Sequence, residues 1–83
     1  MTMTRTFNFN GEDCRTYTIE KEMEIRDARM TYRFSKVKEL RDCICEITEK
    51  NTGETYTYTM LMHERQVKDM YPNVYERLVL NLN

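Results

Sequence analysis

Three cysteines and one histidine are the residues of this sequence that are best suited to bind a metal ion or to act as nucleophiles. Cys43 and Cys45 are separated by one residue, so both thiols would lie on the same face of a β-strand. Together with Cys14 and His63 they form a set of four soft ligands. Structural zinc sites usually combine two pairs of closely spaced ligands, and this sequence has no second pair. We therefore predict no metal and no cofactor, and expect Cys43 and Cys45 to be small buried core residues.

The histidine and the acidic residues do not form a recognisable catalytic group. A cysteine–histidine pair would have to use His63, but nothing in the sequence marks a third orienting group or an oxyanion hole. Glu20, Glu22 and Glu24 share one face of a predicted strand, where Arg33 balances their charge. A carboxyl group that acts as a general acid needs an apolar pocket, and a stripe that faces water provides none. We predict a non-catalytic protein in which this acidic stripe recognises a partner protein.

Nucleic-acid binding is the alternative function, and the overall charge argues against it. The net charge is −1 and the isoelectric point is about 5.8, whereas domains that coat nucleic acid usually carry a basic excess. A local groove would use the basic residues Arg33, Lys36, Lys38 and Arg41. Stacking on bases would use the tyrosines Tyr17, Tyr32, Tyr56 and Tyr58. Because the alternation described below places these tyrosines in the core, protein binding is the favoured prediction.

Length and composition indicate one small intracellular domain that spans residues 1–83. Charged residues make up 33% of the sequence, above the roughly 25% of typical globular proteins, and hydrophobic residues make up 40%. The three cysteines cannot all pair within the chain, which is typical of reduced thiols in the cytoplasm. No apolar run approaches the length of a membrane span, and the first residues lack an apolar signal region. These features suit a small modulator encoded by a phage or virus.

The stretch from Asp42 to Met62 predicts a β-hairpin, because two β-rich runs flank the turn residues Lys50–Gly53. A four-residue loop at this turn pairs Ile47 with Tyr56. This register gathers the apolar side chains on one face of the hairpin, so Tyr56 and Tyr58 are predicted to be buried. Exposure of these two tyrosines would contradict the assignment of the faces.

Two strands upstream of the hairpin show the same alternation of apolar and polar residues. The first predicted strand is Met1–Asn10 and the second is Arg15–Arg26. We predict a three-residue loop, Gly11–Asp13, between them, because that loop pairs Phe7 with Tyr17.

A third strand is predicted after a turn near residue 27. Pairing Met23 with Tyr32 places Glu22 opposite Arg33. Cross-strand charge pairs of this kind contribute roughly 0.2–1 kcal/mol, and they favour this register over its neighbours.

Two segments allow a second interpretation. A helix from Ile19 to Met30 is the alternative for the second strand, because Glu, Lys and Met are good helix formers. Residues 35–41 are predicted to form a bent strand with a bulge near Ser35, which would bring Val37 into the core. The alternative is a single helical turn with Ser35 as its N-cap.

After the hairpin the apolar spacing changes from a period of two to the helical period. The predicted buried stripe consists of Val67, Met70, Tyr71, Val74 and Leu78. Pro72 interrupts this stripe and fits the first turn of a second helix, so we predict two short helices or one kinked helix over residues 64–71 and 73–80. Tyr75 and Val79 lie off the stripe and are predicted to form a second apolar face.

We therefore predict an α+β fold, in which a four- to five-stranded antiparallel meander forms a bent sheet or small open barrel closed by a kinked C-terminal helix. The predicted function is that of a non-catalytic adaptor or inhibitor of another intracellular protein. The residues predicted to bind this partner are Glu20, Glu22, Glu24, Tyr75 and Val79. An open sheet also leaves an edge through which two copies could pair as a homodimer.

Overall fold

The computed structural model describes residues 3–9, 11 and 13–80, which form five antiparallel strands followed by short helices. The strands are β1 (Met3–Phe9), β2 (Asp13–Arg26), β3 (Met30–Val37), β4 (Cys43–Asn51) and β5 (Glu54–Met62). The helices are α1 (Glu64–Met70) and α2 (Pro72–Val74), and α2 continues into one π-helical turn, Tyr75–Val79. Strands adjacent in sequence are adjacent in the sheet, which curls into a half-barrel. This confirms the predicted α+β meander with its C-terminal helices. In the described part of the chain, no helix is long and apolar enough to cross a membrane.

The concave face of the sheet encloses one apolar cluster. Phe7 and Phe9 of β1 pack with Val37 of β3 and Ile44 of β4, although β1 is hydrogen-bonded only to β2. Contacts between strands that are not neighbours require the sheet to curl back on itself. The apolar side chains of β1 therefore close the concave side of the half-barrel.

A β-bulge in β2 allows this strand to contribute to both faces of the sheet. Ile19 and Lys21 pair with consecutive residues of β3, so β2 carries one extra residue, Glu20. An extra residue reverses the alternation of side chains beyond it. Ile19 consequently packs in the concave cluster, whereas Met23 packs against the cluster on the opposite, convex face.

The helices cover the convex face of the sheet. The convex cluster consists of Phe34, Cys43, Cys45 and Met62 from the strands and Val67, Val74 and Leu78 from the helices. As predicted, Pro72 stands at the first position of the second helix, where its missing N–H costs no hydrogen bond. Met70 does not belong to the buried stripe and is 57% exposed.

The register of the β4–β5 hairpin differs from the prediction by two residues. Asn51 pairs with Glu54, so the turn has two residues instead of four. Gly53 in this turn has a φ of 79°, which glycine adopts without strain. Ile47 pairs with Tyr58, and the apolar side chains keep the face that the alternation predicted.

The other two predicted registers also shift by two residues. The predicted pairs Phe7–Tyr17 and Glu22–Arg33 are replaced by Phe7–Arg15 and Glu24–Arg33. Because β1 ends at Phe9 and β2 begins at Asp13, three residues separate the strands, as predicted, but the separation begins one residue earlier than predicted. Residues 1, 2 and 10 of the predicted first strand lie outside the described residues.

Neither helical alternative is observed, and the bent strand predicted over residues 35–41 is only partly confirmed because β3 ends at Val37. β2 is continuous across the segment for which a helix was the alternative. β3 continues through Val37 and is followed by a turn at Lys38 and Glu39. Val37 is buried as expected, but the bulge that achieves this lies in β2 and not near Ser35.

The predicted burial of Tyr56 and Tyr58 is wrong. Their side chains are 47% and 52% exposed, respectively. They lie on the apolar, convex face of the sheet, but β5 is an edge strand, and the convex cluster includes only Met62 from this strand. Alternation assigned the face correctly, but it could not show that the helices leave most of β5 uncovered.

Candidate functional site

The free edge of β5 is the feature of the fold that is best suited to bind another chain. Lys50 of β4 donates its N–H to the carbonyl of Arg29 at 2.9 Å, so this amide points away from β5. Lys50 pairs with Thr55, and hydrogen-bonded and non-hydrogen-bonded pairs alternate along an antiparallel ladder. The backbone groups of Thr55 therefore point to the free edge. The backbone groups of Thr57, Thr59 and Leu61 point to the free edge as well, because every second residue of the ladder has the same orientation.

β5 lacks the features that usually prevent an edge strand from pairing. Natural edge strands commonly carry lysine, proline or a bulge. The nine residues of β5 include no proline and one charged residue, Glu54, whose carboxylate accepts a hydrogen bond from the Tyr56 hydroxyl. Four of its large apolar side chains are exposed: Tyr56 (47%), Tyr58 (52%), Met60 (42%) and Leu61 (42%). The edge is therefore both unprotected and apolar.

A cleft of about 460 Å³ separates the edge of β5 from the edge of β1. It is lined by Thr6, Asn8 and Gly11 on one side and by Glu46, Thr57, Tyr58 and Thr59 on the other. The carbonyl of Thr18 accepts the N–H of Lys38 at 2.9 Å, so the backbone of Thr18 points towards β3. Thr18 pairs with Thr4, so the backbone groups of Thr4 face away from β2. The backbone groups of Thr6 and Asn8 also face away from β2, because these residues lie two and four positions further along the same ladder. The free backbone groups of both edge strands thus face one cleft.

The three glutamates predicted to bind a partner do not form one continuous surface. Glu20 is exposed in the bulge of β2. Glu22 lies on the concave face, where its carboxylate is 3.1 Å from the guanidinium of Arg5. Glu24 is exposed and pairs across the ladder with Arg33. The bulge separates the first carboxylate from the other two, which lie beside arginines.

Arg5 forms an ion-pair network on the concave face. Its Nη2 lies 2.5 Å from Glu46 Oε1, 3.1 Å from Glu22 Oε2 and 3.2 Å from Ser35 Oγ. Its guanidinium also lies over the ring of Phe7, 4.4 Å from the ring centroid. Because the partners of Arg5 include Ser35 of β3 and Glu46 of β4, the network ties β1 to strands that are not its neighbours. This is a structural role, and it leaves Glu22 poorly placed to contact a partner.

Tyr75 and Val79 pack against the chain's own sheet. Both are partly buried beside the convex cluster. The ammonium group of Lys68 lies 5.7 Å from the ring centroid of Tyr75. The strongly exposed apolar residues of the helical region are instead Met70 (57%) and Leu80 (50%).

The four basic residues of the nucleic-acid alternative are not gathered into one groove. Arg33 and Lys36 are three residues apart on β3, so they lie on opposite faces of the sheet. The ammonium group of Lys36 donates to the carbonyl of Leu40 at 3.0 Å. Lys38 and Arg41 are exposed in the connection between β3 and β4.

The four tyrosines of that alternative are also distributed over different parts of the fold. Tyr17 packs in the concave cluster, and Tyr32 packs on the convex face beside Tyr71, with ring centroids 6.0 Å apart. Only Tyr56 and Tyr58, both on β5, lie on the same strand and are exposed. This pair has no cluster of basic residues beside it on β5, whose only charged residue is acidic.

The cysteines and the histidine occupy separate positions. Cys43 and Cys45 are buried in the convex cluster, as predicted, and burial raises the pKa of both thiols, that of Cys45 to about 11. Cys14 is exposed in β2. Nδ1 of His63 accepts the N–H of Arg65 at 3.1 Å and so caps α1. Within the described ranges, no three His, Cys, Asp or Glu side chains are grouped as metal ligands would be.

The sequence contains a signal for the β5 edge that the alternation argument did not use. Each of β1 to β4 contains at least one arginine or lysine, whereas β5 contains none. In a meander the last strand is an edge strand, so its lack of positive charge marks an unprotected edge. The apolar alternation of Tyr56, Tyr58 and Met60 is the same for a buried strand and for an exposed edge strand, so the missing positive charge is the distinguishing feature.

We found no family model that matches the chain, and no curated protein or solved structure that is significantly similar to it.

Proposed function

We propose that the protein is a small non-catalytic module, an adaptor or inhibitor, that binds another protein by accepting an extended segment of it as an additional strand on β5. The observation that carries this proposal is the nine-residue free edge of β5, which has a single charge and a row of exposed apolar side chains. In strand addition, main-chain hydrogen bonds supply affinity, and contacts with alternate side chains supply specificity.

Tyr58 is the central side-chain contact in this proposal. It lies in the middle of β5, and its exposed ring is flanked on the same face by Tyr56 and Met60. Tyrosine is enriched among the residues that dominate interface energies, because its ring buries a large area with few rotatable bonds. An incoming strand would cover these rings on one face while it pairs with the backbone of β5.

The non-catalytic part of the proposal is supported by the structural roles of the chemically reactive residues. The thiols of Cys43 and Cys45 are buried, and their raised pKa values keep them protonated. His63 uses one ring nitrogen to cap α1. The carboxylates of Glu22 and Glu46 are paired with Arg5, an environment that favours the ionised form, whereas a general acid needs an apolar pocket that keeps its carboxyl group protonated.

The test measures partner affinity in variants of β5 and of the acidic residues. A protein captured from lysate is identified by mass spectrometry, and its affinity is then measured for the wild type and for Tyr58→Lys. We expect a loss of roughly tenfold or more for Tyr58→Lys, because a lysine on an edge strand opposes pairing and the aromatic contact is removed. The matched controls Glu20→Lys and Glu24→Lys place the same residue on exposed positions of β2 and should change the affinity little.

The opposite result would overturn the proposal. If Glu20→Lys and Glu24→Lys abolish binding while Tyr58→Lys retains it, the acidic residues form the recognition surface and the edge of β5 does not. Circular dichroism and thermal unfolding of each variant distinguish lost binding from lost folding.

A further inference from the structure

We propose that the bound segment enters the cleft between β5 and β1 and pairs with both edges, which closes the half-barrel into a six-stranded antiparallel barrel. The inference rests on the proposed function, since it specifies where the partner's strand lies. The occupant is an extended, uncharged segment of the partner protein in which small hydroxyl-bearing residues alternate with apolar residues.

The direction of the strands requires one additional strand for antiparallel closure. Each of the four ladders is antiparallel, so β1, β3 and β5 run in the same direction. Direct pairing of β1 with β5 would therefore be parallel. A single segment that runs antiparallel to β5 also runs antiparallel to β1, so it pairs favourably with both edges.

The free backbone groups of the two edges are positioned to bond the same segment. Those of Thr57 and Thr59 face outwards from β5, and those of Thr6 and Asn8 face outwards from β1, as the hydrogen bonds of their neighbours establish. All four residues line the cleft of about 460 Å³. The cleft therefore presents N–H and C=O groups from both sides, as an interior position in a sheet does.

The width of the cleft sets a requirement for entry. A strand between two others needs roughly 9.6 Å between their axes, twice the usual spacing. Some Cα atoms of β1 and β5 approach within 8 Å. The edges must therefore part by at least roughly 1.6 Å at their closest approach. The inferred point of entry is the cleft lined by Thr6, Asn8 and Thr57.

The side chains beside the cleft specify the chemistry of the segment. Thr57 and Thr59 lie on the concave side of β5, whereas Tyr58 lies on the convex side. An inserted strand would place alternate side chains beside the threonine hydroxyls and the others beside the tyrosine ring. Because the Glu46 carboxylate in the cleft is paired with Arg5, an anionic residue of the segment would be repelled by this carboxylate and a cationic residue would compete with Arg5 for it.

The test uses a capped synthetic peptide of alternating threonine and valine, as long as β1, at concentrations up to millimolar. Affinity is measured for the wild type and for Thr57→Pro and Thr6→Pro, each of which removes one free-edge N–H without touching the existing ladders. The matched controls Thr57→Val and Thr6→Val remove only the hydroxyl. We expect both proline variants to lose roughly tenfold or more in affinity and both valine variants to bind within about threefold of the wild type.

Amide hydrogen exchange of the wild type provides a second measurement that does not depend on the folding of a variant. Slower exchange of Thr6, Asn8, Thr57 and Thr59 on addition of peptide supports closure. Protection of β5 alone, with Thr6→Pro binding normally, overturns closure but leaves the proposed function intact. If the peptide protects neither edge, the closure of the barrel and the proposed function are both overturned. Protection that rises with protein concentration in the absence of peptide identifies a second copy as the occupant and also overturns the inference.

Discussion

Arg5 and Glu46 meet across the interior of the half-barrel, with 2.5 Å between Nη2 and Oε1. Their strands, β1 and β4, are not neighbours in the sheet. The pair therefore acts with the packing of Phe7 to hold the curl of the sheet, and its removal should release an edge strand rather than disturb a single ladder. This relationship connects the stability of the fold to the geometry of the proposed cleft, since β1 forms one of its walls.

Replacing Arg5 with alanine should lower the free energy of unfolding by about 1–3 kcal/mol. The substitution leaves the carboxylates of Glu22 and Glu46 close together and without their shared cation. Loss of one partner from a fully buried pair costs about 3–5 kcal/mol, and we expect less here because the side chains of Arg5 and Glu46 are 27% and 19% exposed. Urea unfolding monitored by circular dichroism measures the difference.

The ion pair of Arg15 with Asp13 provides the matched control for this prediction. The distance is 2.9 Å, but the side chains are 51% and 46% exposed, so Arg15→Ala should cost clearly less stability than Arg5→Ala. The double variant Arg5→Met, Glu46→Met should recover part of the stability lost in Arg5→Ala. Equal losses for Arg5→Ala and Arg15→Ala would show that the concave network does not hold β1 in place.

Alternation predicted the faces correctly within each regular stretch of strand, but it missed the bulge at Glu20, which places Ile19 on the concave face and Met23 on the convex face. It also did not predict the register of the ladders. Each of the three predicted hairpins is displaced by two residues, and a displacement of two leaves the paired side chains on the same face of their ladder. The choice between such registers rested on turn length and on charge pairs. Arg33 lies opposite Glu24 and also within 3.9 Å of Glu22, so charge pairing did not distinguish the two registers.

The candidate site could be predicted only in part, because exposure depends on how the helices are placed. The sequence indicates that Tyr56, Tyr58 and Met60 share an apolar face. Whether such a face is buried depends on where the two short helices lie, and they cover the middle of the sheet in preference to its last strand. The shared face of Glu20, Glu22 and Glu24 was predicted wrongly for a different reason, since alternation assumes a regular strand and the bulge at Glu20 interrupts it.

Removal of the His63 side chain should destabilise the protein through the start of α1. Nδ1 of His63 accepts the N–H of Arg65, and the residue has the extended backbone conformation of an N-cap. Loss of an N-cap side chain typically costs about 0.5–2 kcal/mol, so His63→Ala should lower stability by that amount, whereas His63→Asp should maintain or raise it. Thermal unfolding compares the two variants. If the alanine variant is as stable as the aspartate variant, the capping interaction contributes nothing.

The three thiols should react at very different rates in the folded protein. Cys14 is exposed, whereas Cys43 and Cys45 are buried, and burial raises the pKa of Cys45 to about 11. Because the thiolate is the reactive form, one alkylation per chain is expected in native buffer and three in denaturant. Mass spectrometry after a short treatment with iodoacetamide counts the modified residues, and Cys14→Ser should abolish the native reaction. Simultaneous modification of all three native thiols would contradict the buried positions of Cys43 and Cys45.

Acid should weaken the contact that closes the turn after β3. The carboxylate of Glu39 accepts the backbone N–H of Thr18 at 2.8 Å and its hydroxyl at 2.7 Å. These bonds hold the pKa of Glu39 below its ordinary value of 4.5. A carboxyl group with a lowered pKa in the folded state stabilises the protein above its unfolded pKa, and this contribution is lost as the pH falls through the folded value. Glu39→Gln should therefore be less stable than the wild type at neutral pH, and the difference should shrink below about pH 4.5.

Chemical unfolding of the two proteins at a series of pH values measures this dependence. Thr18→Val removes the hydroxyl bond but retains the backbone N–H, so it should show a smaller pH-dependent difference than Glu39→Gln. A difference between wild type and Glu39→Gln that stays constant from neutral pH to about pH 3 would mean that the ionised carboxylate adds nothing to the folded state. In that case the contact of the Lys38 N–H with the Thr18 carbonyl would hold the turn by itself.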